Sequence, residues 1–274
     1  MSLLLCPVCH TPLDDGEKKA SCANGHRFDR AREGYLNLLR SSKAGDTMGD
    51  PKAQARSRRD FLDKGYYQPL RDKLVELVGE HVNDCPNAPS PLSIPILDIC
   101  CGEGYYTSAL GAIPNAEVYG FDLAKEMVRL AAKRGCATYF VANLKSIPVP
   151  DANIAVATHL FAPFNEPEFA RVLQPGGVLF TVVPGKRHLF GLKQALYDTP
   201  YLNDEKLPIC SRLELVGTEK VVADITLACP ADIEAVFQMT PYYYRTSAHD
   251  KAKLDGVETL ETPIDFVIAM YRKR

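Results

Sequence analysis

Strand-like apolar runs alternate with amphipathic stretches from residue 95 onwards, and this alternation predicts the fold. The runs typical of buried strands are Ile96–Cys100, Glu117–Phe121, Ala137–Ala142, Ile154–Leu160 and Val178–Val183. The stretches with helical spacing are Tyr105–Ile113, Lys125–Arg134 and Glu166–Leu173. Because strands and helices take turns, we expect an α/β fold with a doubly wound, mostly parallel sheet.

The remaining parts of the chain have different patterns. Residues 1–40 contain few apolar runs and many Cys, Gly, Pro and charged residues, which is typical of a small metal-stabilised module. A helix predicted over Pro69–Val78 places Leu70, Leu74 and Val78 on one face. Towards the end of the chain we predict two strands and one helix, at Arg212–Leu227, Asp265–Tyr271 and Ala231–Gln238. These patterns divide the chain into residues 1–45, 46–92 and 93–274.

Composition narrows the class of protein. Hydrophobic residues make up 46% of the 274 positions and charged residues 24%, an ordinary globular balance. No apolar run approaches the roughly 20 residues of a membrane span, and the N-terminus lacks the basic region of a secretory signal, so we expect a soluble, cytoplasmic protein. With a net charge of −2, any nucleic-acid site must be a local patch. The candidates, which could equally be a solvated face, are Lys18, Lys19, Arg27, Arg30, Arg32, Arg56, Arg58 and Arg59.

Four residues near the N-terminus have the spacing of a zinc site. Cys6 and Cys9 are separated by two residues, and Cys22 and His26 by three. Thiolates and imidazole in two close pairs suit a closed, tetrahedral structural site. His10 is a competing fourth ligand, although its position directly after Cys9 makes chelation awkward. Zinc would supply much of the folding free energy of so small a module.

A glycine-rich turn follows the first predicted strand of the sheet. It contains Asp98, Gly102, Glu103 and Gly104, and a further acid, Asp122, ends the next predicted strand. Glycines there let the backbone approach a ligand closely, and a carboxylate about 20 residues further on can accept hydrogen bonds from ribose hydroxyls. The pattern therefore predicts a nucleotide-like cofactor at the carboxyl edge of the sheet.

The charges around this turn favour S-adenosylmethionine over a dinucleotide. Asp98 precedes the turn and Glu103 lies within it, so both would repel a pyrophosphate, whereas a cationic sulfonium and an amino group are compatible with them. Asn143 follows the third predicted strand, where it could reach an adenine edge. An ordinary turn asparagine is an equally good interpretation of Asn143.

Together, several stretches of the chain resemble the RlmA family of 23S ribosomal RNA (guanine-N1)-methyltransferases. Two of them, Glu33–Leu39 and Arg187–Leu189, are not general features of methyltransferases. The others include Cys6–His10, Arg58–Asp63, Tyr67–Leu70, Cys101–Thr107 and Gln238–Pro241. The resemblance implies a class I methyltransferase domain in residues 93–274, a helical connector in 46–92 and a zinc-binding RNA-recognition module in 1–45.

The same resemblance implies a ligand set and a substrate. The implied zinc ligands are Cys6, Cys9, Cys22 and His26, and the implied cofactor contacts are Tyr67, Gly102, Glu103 and His188, with Asp122 on the ribose. It further implies a homodimer that grips a hairpin of 23S ribosomal RNA and methylates N1 of guanine 745. A sister branch modifies guanine 748, and no physical argument from the sequence separates the two.

One residue departs from the family pattern. Cys100 stands where the family usually has glycine. A left-handed backbone would cost a cysteine about 1 kcal/mol or more. Because Gly102 and Gly104 remain to form the turn, we expect Cys100 to have a strand-like backbone.

The catalytic residues are the least defined part of this interpretation. Guanine N1 carries a proton that must leave, yet no base stands out. Aromatic residues that could stack on an exposed guanine are Phe161, Phe164 and Tyr242–Tyr244, although core packing is the commoner role for each. Two alternatives remain open: a small-molecule methyltransferase with a bracing zinc module, and a non-catalytic RNA-binding protein.

Overall fold

The structure, a computed structural model, describes residues 3–39, 52–83 and 93–274. Its strands are β1 (Leu13–Asp15), β2 (Lys19–Cys22), β3 (Arg27–Asp29), β4 (Leu36–Asn37), β5 (Ile94–Ile99), β6 (Ala116–Asp122), β7 (Thr138–Val141), β8 (Ile154–Leu160), β9 (Leu173–Pro184), β10 (Leu213–Leu227) and β11 (Leu260–Lys273). Its helices are α1 (Lys52–Asp63), α2 (Gln68–Asn83), α3 (Tyr105–Leu110), α4 (Lys125–Ala132), α5 (Glu166–Val172), α6 (Phe190–Leu196), α7 (Pro230–Gln238) and α8 (Ala248–Ala252). The predicted domain boundaries at residues 45 and 92 lie outside the described residues.

Eight of these strands form one sheet in the order β10-β11-β9-β8-β5-β6-β7-β4. All neighbours are parallel except the β9–β11 and β10–β11 pairs. Every residue of β5 and β8 is buried, as expected for central parallel strands that have helices on both faces. The predicted α/β class and the mostly parallel sheet are therefore confirmed.

The strand order reverses next to β5, and this reversal creates a crevice at the carboxyl edge of the sheet. There β5 pairs with β6 on one side and with β8 on the other. Ile99 at the end of β5 lies opposite Phe121 of β6 and His159 of β8. The turn after Ile99, the carboxylate of Asp122 and the loop after Leu160 consequently lie side by side.

The N-terminal module is joined to this sheet by strand pairing and by a shared apolar core. The two residues of β4 pair in parallel with β7, Leu36 opposite Phe140 and Asn37 opposite Val141. Leu4, Leu13 and Leu36 are buried in the same apolar cluster as core residues of β5 and β6. Residues 3–39 therefore share a core with the large domain, although the sequence pattern separates them.

Helix α1 crosses above the crevice. Ala55 packs against Met127 and Leu130 of α4 at one side of the crevice. At the other side the side-chain amide of Gln54 donates a 2.9 Å hydrogen bond to the carbonyl of Gln238, the last residue of α7. The helix thus forms a roof over the turn that follows β5.

The predicted strand Val178–Val183 starts earlier in the structure, at Leu173. Leu173 pairs with Ile154 and Val178 with Val156, so residues 174–177 bulge out between two paired positions. Gly176 has a φ of 78°, which glycine tolerates in such a bulge. The late strands and the helix before β11 were predicted at the right places, with β11 longer than expected.

Within the described ranges, no helix has the length and apolarity needed to cross a membrane.

Candidate active site and zinc site

The four predicted zinc ligands converge in the N-terminal module. The candidate ligand atoms of Cys6, Cys9, Cys22 and His26 all lie within 4.8 Å of one another. The Cys9 and Cys22 sulfurs are 3.6 Å apart, and His26 Nδ1 lies 3.4 Å from the Cys22 sulfur. A tetrahedral ion with Zn–S bonds of about 2.3 Å separates its sulfurs by roughly 3.7 Å, so the residues fit zinc.

Local backbone bonds set up this geometry. The peptide N–H of His10 donates to the carbonyl of Cys6 at 2.8 Å, which closes the turn holding Cys6 and Cys9. Hydrogen bonds from Thr11 lower the pKa of Cys9 to about 5, which favours the thiolate that zinc requires. His10 is exposed and lies outside this group, whereas the His26 ring is part of it, which favours His26 as the fourth ligand.

The turn after β5 is built from left-handed residues. Gly102 has a φ of 56° and Gly104 a φ of 84°. The peptide N–H of Gly102 donates to Asp122 Oδ2 at 3.0 Å. A Cβ on Gly104 would lie 2.8 Å from the Cβ of Ala131, so glycine there permits close packing of the turn against α4.

The expectation for Cys100 was wrong. Its φ is 57°, so the chain already leaves the strand at this residue, directly after β5. The left-handed turn thus begins two residues earlier than the glycines alone suggested. A cysteine in this conformation brings its Cβ close to the following carbonyl oxygen and carries a strain of roughly 1–2 kcal/mol.

We therefore predict that Cys100→Gly stabilises the protein by about 0.5–1 kcal/mol. Removing the strained Cβ lowers the energy of the folded state, while the extra freedom of glycine in the unfolded chain offsets part of the gain. Thermal denaturation of the two proteins measures the difference. Cys136 is a second cysteine with a left-handed backbone, at a φ of 64°. Cys136→Gly is therefore the matched control for removing a Cβ from that conformation. A lower melting temperature for Cys100→Gly would contradict the assignment of strain.

Asp98, in β5 just before the turn, is held by hydrogen bonds from two neighbouring elements. Its two carboxylate oxygens accept hydrogen bonds from the hydroxyls of Thr107 at 2.5 Å and Thr158 at 2.8 Å. Burial raises the pKa of Asp98 to about 6, against the opposing effect of the two threonines. Because both oxygens already have protein donors, we assign Asp98 a role in shaping the turn ahead of direct contact with a sulfonium.

Glu103 is committed to an ion pair. Its Oε2 atom lies 2.5 Å from Arg134 Nη2, and Arg134 also pairs with Asp63 of α1 at 2.7 Å. Burial raises the pKa of Glu103, and the nearby charge of Arg134 lowers it. The other oxygen, Oε1, is buried with no hydrogen-bond partner among the described residues. That oxygen is the part of Glu103 still available to a ligand.

Asp122 and Asn143 end neighbouring strands at the same edge. Asp122 accepts hydrogen bonds from the peptide N–H groups of Gly102 at 3.0 Å and Ala124 at 2.9 Å, which aim its carboxylate across the turn. The exposed Asn143 uses its side-chain oxygen to accept a bond from the N–H of Lys145 at 2.9 Å. Asn143 thus stabilises a turn, which is one of the two interpretations that the sequence allowed. Its amide N–H₂ group remains the part of the side chain that could contact an adenine.

Tyr67 and His188 form a pair although they are far apart in the sequence. His188 Nδ1 accepts from the peptide N–H of Asp265 at 3.4 Å, so we place the ring proton on Nε2. Nε2 lies 3.4 Å from the Tyr67 hydroxyl oxygen and can donate to it. Burial lowers the pKa of His188 to about 3, so the ring is neutral. The hydroxyl proton of Tyr67 is then directed away from His188.

A narrow cleft lies beneath α1 beside the turn after β5, and Tyr67, Asp122, Asn143 and His188 are not among the residues that line it. The residues that line it are Arg58, Leu62, Asp98, Cys100, Cys101, Gly102, Glu103, Tyr105, Tyr106, Leu160 and Phe161. Its cavity volume is about 50 Å³, far below the roughly 300–1,000 Å³ of ligand sites, so α1 or the Phe161 loop has to shift outward for a nucleoside to enter. The buried Tyr106 hydroxyl has no hydrogen-bond partner among the described residues. This unpaired hydroxyl and the Glu103 oxygen fit a polar cofactor such as S-adenosylmethionine.

The sequence interpretation missed what α1 and the loop after β8 contribute. Arg58 and Leu62 reach the cleft from α1, and Arg134 holds Glu103 from beyond α4. Phe161 has a φ of 54°, is 47% exposed, and packs against Phe266 at a centroid distance of 5.5 Å. The four-residue spacing of Arg58 and Leu62 was the available signal, because it places both on one helix face.

Comparison with known proteins follows the division seen in the fold. Residues 4–43 match the family described as "RlmA, N-terminal", and residues 96–177 match the family described as "Methyltransferase domain". The "23S rRNA (guanine(748)-N(1))-methyltransferase" of Streptomyces fradiae is 36% identical over 280 residues, which cover 97% of this chain and 95% of the relative.

Two further relatives carry names that begin "Putative 23S rRNA (guanine-N(1)-)-methyltransferase". The protein from Micromonospora griseorubida is 33% identical, with 70% of this chain and 69% of the relative covered. The protein from Bacillus subtilis (strain 168) is also 33% identical, with 73% and 71% covered. The similarity thus extends over both the zinc module and the large domain.

Proposed function

This chain belongs to the RlmA family of 23S ribosomal RNA (guanine-N1)-methyltransferases, and we propose that it transfers a methyl group from S-adenosylmethionine to N1 of a guanine in that RNA. The observation that carries the proposal is one crevice in which the left-handed turn, Asp122 and the exposed ring of Phe161 adjoin. The same sheet holds a zinc module at its far edge. The proposed cofactor site and the zinc module are therefore parts of one continuous sheet.

The residues of the crevice position the two reactants. When bound, S-adenosylmethionine supplies an electrophilic methyl group on a sulfonium. Asp122, at the end of β6, would accept hydrogen bonds from the ribose hydroxyls, and the turn at Gly102 would allow close approach of the backbone. Phe161 extends from the end of β8, where an exposed guanine can stack against its ring. Such positioning can supply most of the rate enhancement, because the methyl donor is already reactive.

His159 holds the Phe161 loop in place. This buried residue donates from Nε2 to the carbonyl of Pro163 at 3.2 Å and accepts at Nδ1 from Thr181 at 2.9 Å. Burial lowers the pKa of His159 to about 4, so it stays neutral. Both of its nitrogens, like Nδ1 of His188, are engaged within the protein. We therefore assign loss of the guanine N1 proton to water rather than to either histidine.

Phe161→Leu tests the position of the target base. We expect kcat/KM for RNA to fall about 10- to 100-fold, because stacking of a base on an aromatic ring is worth ~1–3 kcal/mol. Cofactor affinity, measured by calorimetry without RNA, should stay within about threefold. Phe164→Leu is the matched control, since Phe164 is partly buried against His159 and Phe169. Equal losses for the two variants would argue that Phe161 only packs.

RNA contact is proposed for the exposed basic residues of the zinc module. Lys18, Lys19, Arg27 and Arg32 are exposed, whereas Arg30 is held by Asp15 and by the carbonyl of Gly34. These four exposed cations are the candidates for the local RNA site that a chain of net charge −2 needs. Arg30 therefore belongs to the scaffold of the module.

The target position within the RNA is the finer part of the proposal. The resemblance pointed to guanine 745, while the relative from Streptomyces fradiae is named for guanine 748. We retain guanine 745, in a hairpin, as the position to be tested. A cytoplasmic location follows from a ribosomal RNA substrate. The homodimer likewise stays a proposal, which sedimentation equilibrium of the zinc-loaded protein would test.

One assay decides the function. The protein is incubated with labelled S-adenosylmethionine and unmodified 23S RNA, and the modified base is then mapped. Label on N1 of a single guanine supports the proposal, and its position separates 745 from 748. Absence of transfer despite salt-sensitive RNA binding would indicate a non-catalytic RNA-binding protein. Absence of both would favour a small-molecule methyltransferase.

A further inference from the structure

Lys193 is a buried lysine to which neither the resemblance nor the relatives assign a role. It lies on α6 and is only 1% exposed, and no carboxylate among the described residues pairs with its ammonium group. The ammonium group donates instead to the side-chain oxygen of Asn203 at 2.6 Å and to the carbonyl of Tyr201 at 3.1 Å. A buried cation without a counter-ion is costly, and an apolar side chain would fill the same volume at a lower cost. This cost points to a function for the two hydrogen bonds.

Two tyrosine rings hold the ammonium group in place. The Lys193 Nζ atom lies 4.0 Å from the centroid of the Tyr201 ring and 5.5 Å from that of Tyr242. The face of an aromatic ring attracts a cation, and more strongly so away from water. Nζ therefore has a fixed position, and so has the Asn203 oxygen that accepts a hydrogen bond from it.

Asn203 connects this lysine to the segment that contains His188. Because the side-chain oxygen of Asn203 accepts from Lys193, its amide nitrogen faces the carbonyls of Gly185 and His188, both at 3.0 Å. The peptide N–H of Asn203 also donates to the carbonyl of Lys186 at 2.9 Å. One asparagine thus binds three carbonyls of residues 185–188.

Asp265 of β11 holds the same segment through different atoms. Its carbonyl accepts from the N–H of Gly185 at 2.7 Å, and its Oδ2 atom accepts from the N–H of Arg187 at 2.9 Å. Its own N–H donates to Nδ1 of the His188 ring at 3.4 Å. Asp265 therefore fixes the ring of His188, whereas Asn203 fixes the carbonyl of the same residue.

The residue after His188 has a strained backbone. Leu189 has a φ of 55°, a left-handed conformation that a side chain disfavours. Such strain persists only where the surroundings hold the backbone. The peptide group between the two residues carries the carbonyl that Asn203 binds, so this bond fixes its orientation. Loss of the bond allows the peptide group to rotate, which moves the His188 ring relative to the Tyr67 hydroxyl, 3.4 Å from Nε2.

We propose that Lys193, acting through Asn203, is a positioning residue that holds His188 in place for S-adenosylmethionine. The proposal rests on the proposed function, in which His188 contacts this cofactor. Lysine suits the position because its ammonium group has donors for both Asn203 and the carbonyl of Tyr201. An apolar residue would leave the Asn203 side chain free to turn away from the His188 carbonyl.

Calorimetry on the zinc-loaded full chain without RNA tests the proposal. For Lys193→Met and for Asn203→Asp we expect the affinity for S-adenosylmethionine to fall about 10-fold, as for loss of a charge-assisted hydrogen bond. Methionine has no donors, whereas aspartate keeps an acceptor for Lys193 and lacks the amide donors. A His188→Ala protein should itself bind about 10- to 100-fold more weakly. In that protein the same two substitutions should change the affinity less than about twofold, because residues that act through one another are not additive.

Nitrogen NMR of the His188 ring gives a readout that a general loss of stability does not change. The wild-type signals, assigned by their absence from His188→Ala, should show the Nε2–H tautomer. In Lys193→Met and Asn203→Asp they should move towards the average of the two tautomers. Lys253→Met is the matched control, because Lys253 binds the loop after α6 through Asp198 at 3.0 Å. It should leave the cofactor affinity and the ring signals unchanged.

Three results would overturn the proposal. An equal loss of affinity with and without the His188 side chain would mean that Lys193 supports the fold in general. Unchanged ring signals in both variants would mean that His188 is held without Lys193. Wild-type affinity in His188→Ala would remove the cofactor contact that the proposal requires. A wild-type protein that does not bind S-adenosylmethionine would overturn the proposed function itself, whereas a wrong guanine target leaves all of these measurements intact.

Discussion

Cys9→Ser removes zinc from the protein and lowers methyl transfer to RNA by at least about 100-fold, while cofactor affinity stays within about threefold. The four side chains that converge within 4.8 Å of one another are the proposed ligands through which zinc holds residues 3–39 together. Metal binding contributes on the order of 10 kcal/mol to the folding of such modules. A module that loses one ligand, and with it the ion, is therefore not expected to stay folded. The crevice at Asp122 lies on β6, and β7 separates β6 from β4, so we expect the sheet to keep the geometry of the crevice while β1–β3 lose their order.

Metal content, hydrogen exchange and activity measure this effect. Zinc released from the denatured protein should fall from one ion per chain to none, and the amides of β1–β3 should lose protection. His10→Asn is the matched control, because His10 is adjacent to the ligand Cys9 and Asn also tolerates its left-handed φ of 59°. It should retain zinc and activity. A Cys9→Ser protein without zinc that still methylates RNA at the wild-type rate would exclude the module from substrate recognition.

Asp122→Ala lowers cofactor affinity about 100- to 1,000-fold. The variant loses a charged acceptor for two ribose hydroxyls, each contact worth ~1.5–3 kcal/mol when one partner is ionised. It also releases the peptide N–H groups of Gly102 and Ala124, which hold the turn open beside the cleft. No other substitution in the crevice removes both the ribose acceptor and the support of the turn.

A cofactor analogue separates these two contributions. The wild-type protein should bind 2′-deoxy-S-adenosylhomocysteine more weakly than S-adenosylhomocysteine, whereas Asp122→Ala should no longer distinguish the two. Asp122→Asn keeps one oxygen for a backbone N–H and should show an intermediate loss. If Asp122→Ala discriminates between the ligands as well as the wild type does, the carboxylate shapes the turn without contacting the ribose.

The parts of the molecule that the sequence predicted are those specified by local spacing or by complete burial. The zinc ligands lie within 21 positions of one another, and the central strands are continuous apolar runs. Asp122 was predictable because the end of β6 must lie beside the turn after β5 in any parallel sheet of this type. Where one element alone determines the position of a residue, the pattern is sufficient.

The parts that it did not predict depend on docking between distant elements. Helix α1 is polar, with few apolar side chains to say what it packs against, and two contacts at its sides turn it into a roof. The pairing of Tyr67 with His188 joins residues 121 positions apart. The expectation for Cys100 failed because the left-handed conformations were assigned to Gly102 and Gly104 alone. The left-handed turn begins at Cys100 itself.

The two-residue strand β4 limits how this enzyme can be recombined with its relatives. Its backbone covers the open side of β7, so a chimera joined upstream of Leu36 would leave the hydrogen-bonding groups of β7 bare, a known route to aggregation. A graft that exchanges RNA specificity has to carry residues 36–39 with the donor's zinc module and must match the side chains against Phe140. The zinc module and the methyltransferase domain therefore have to be exchanged together with the strand that joins them.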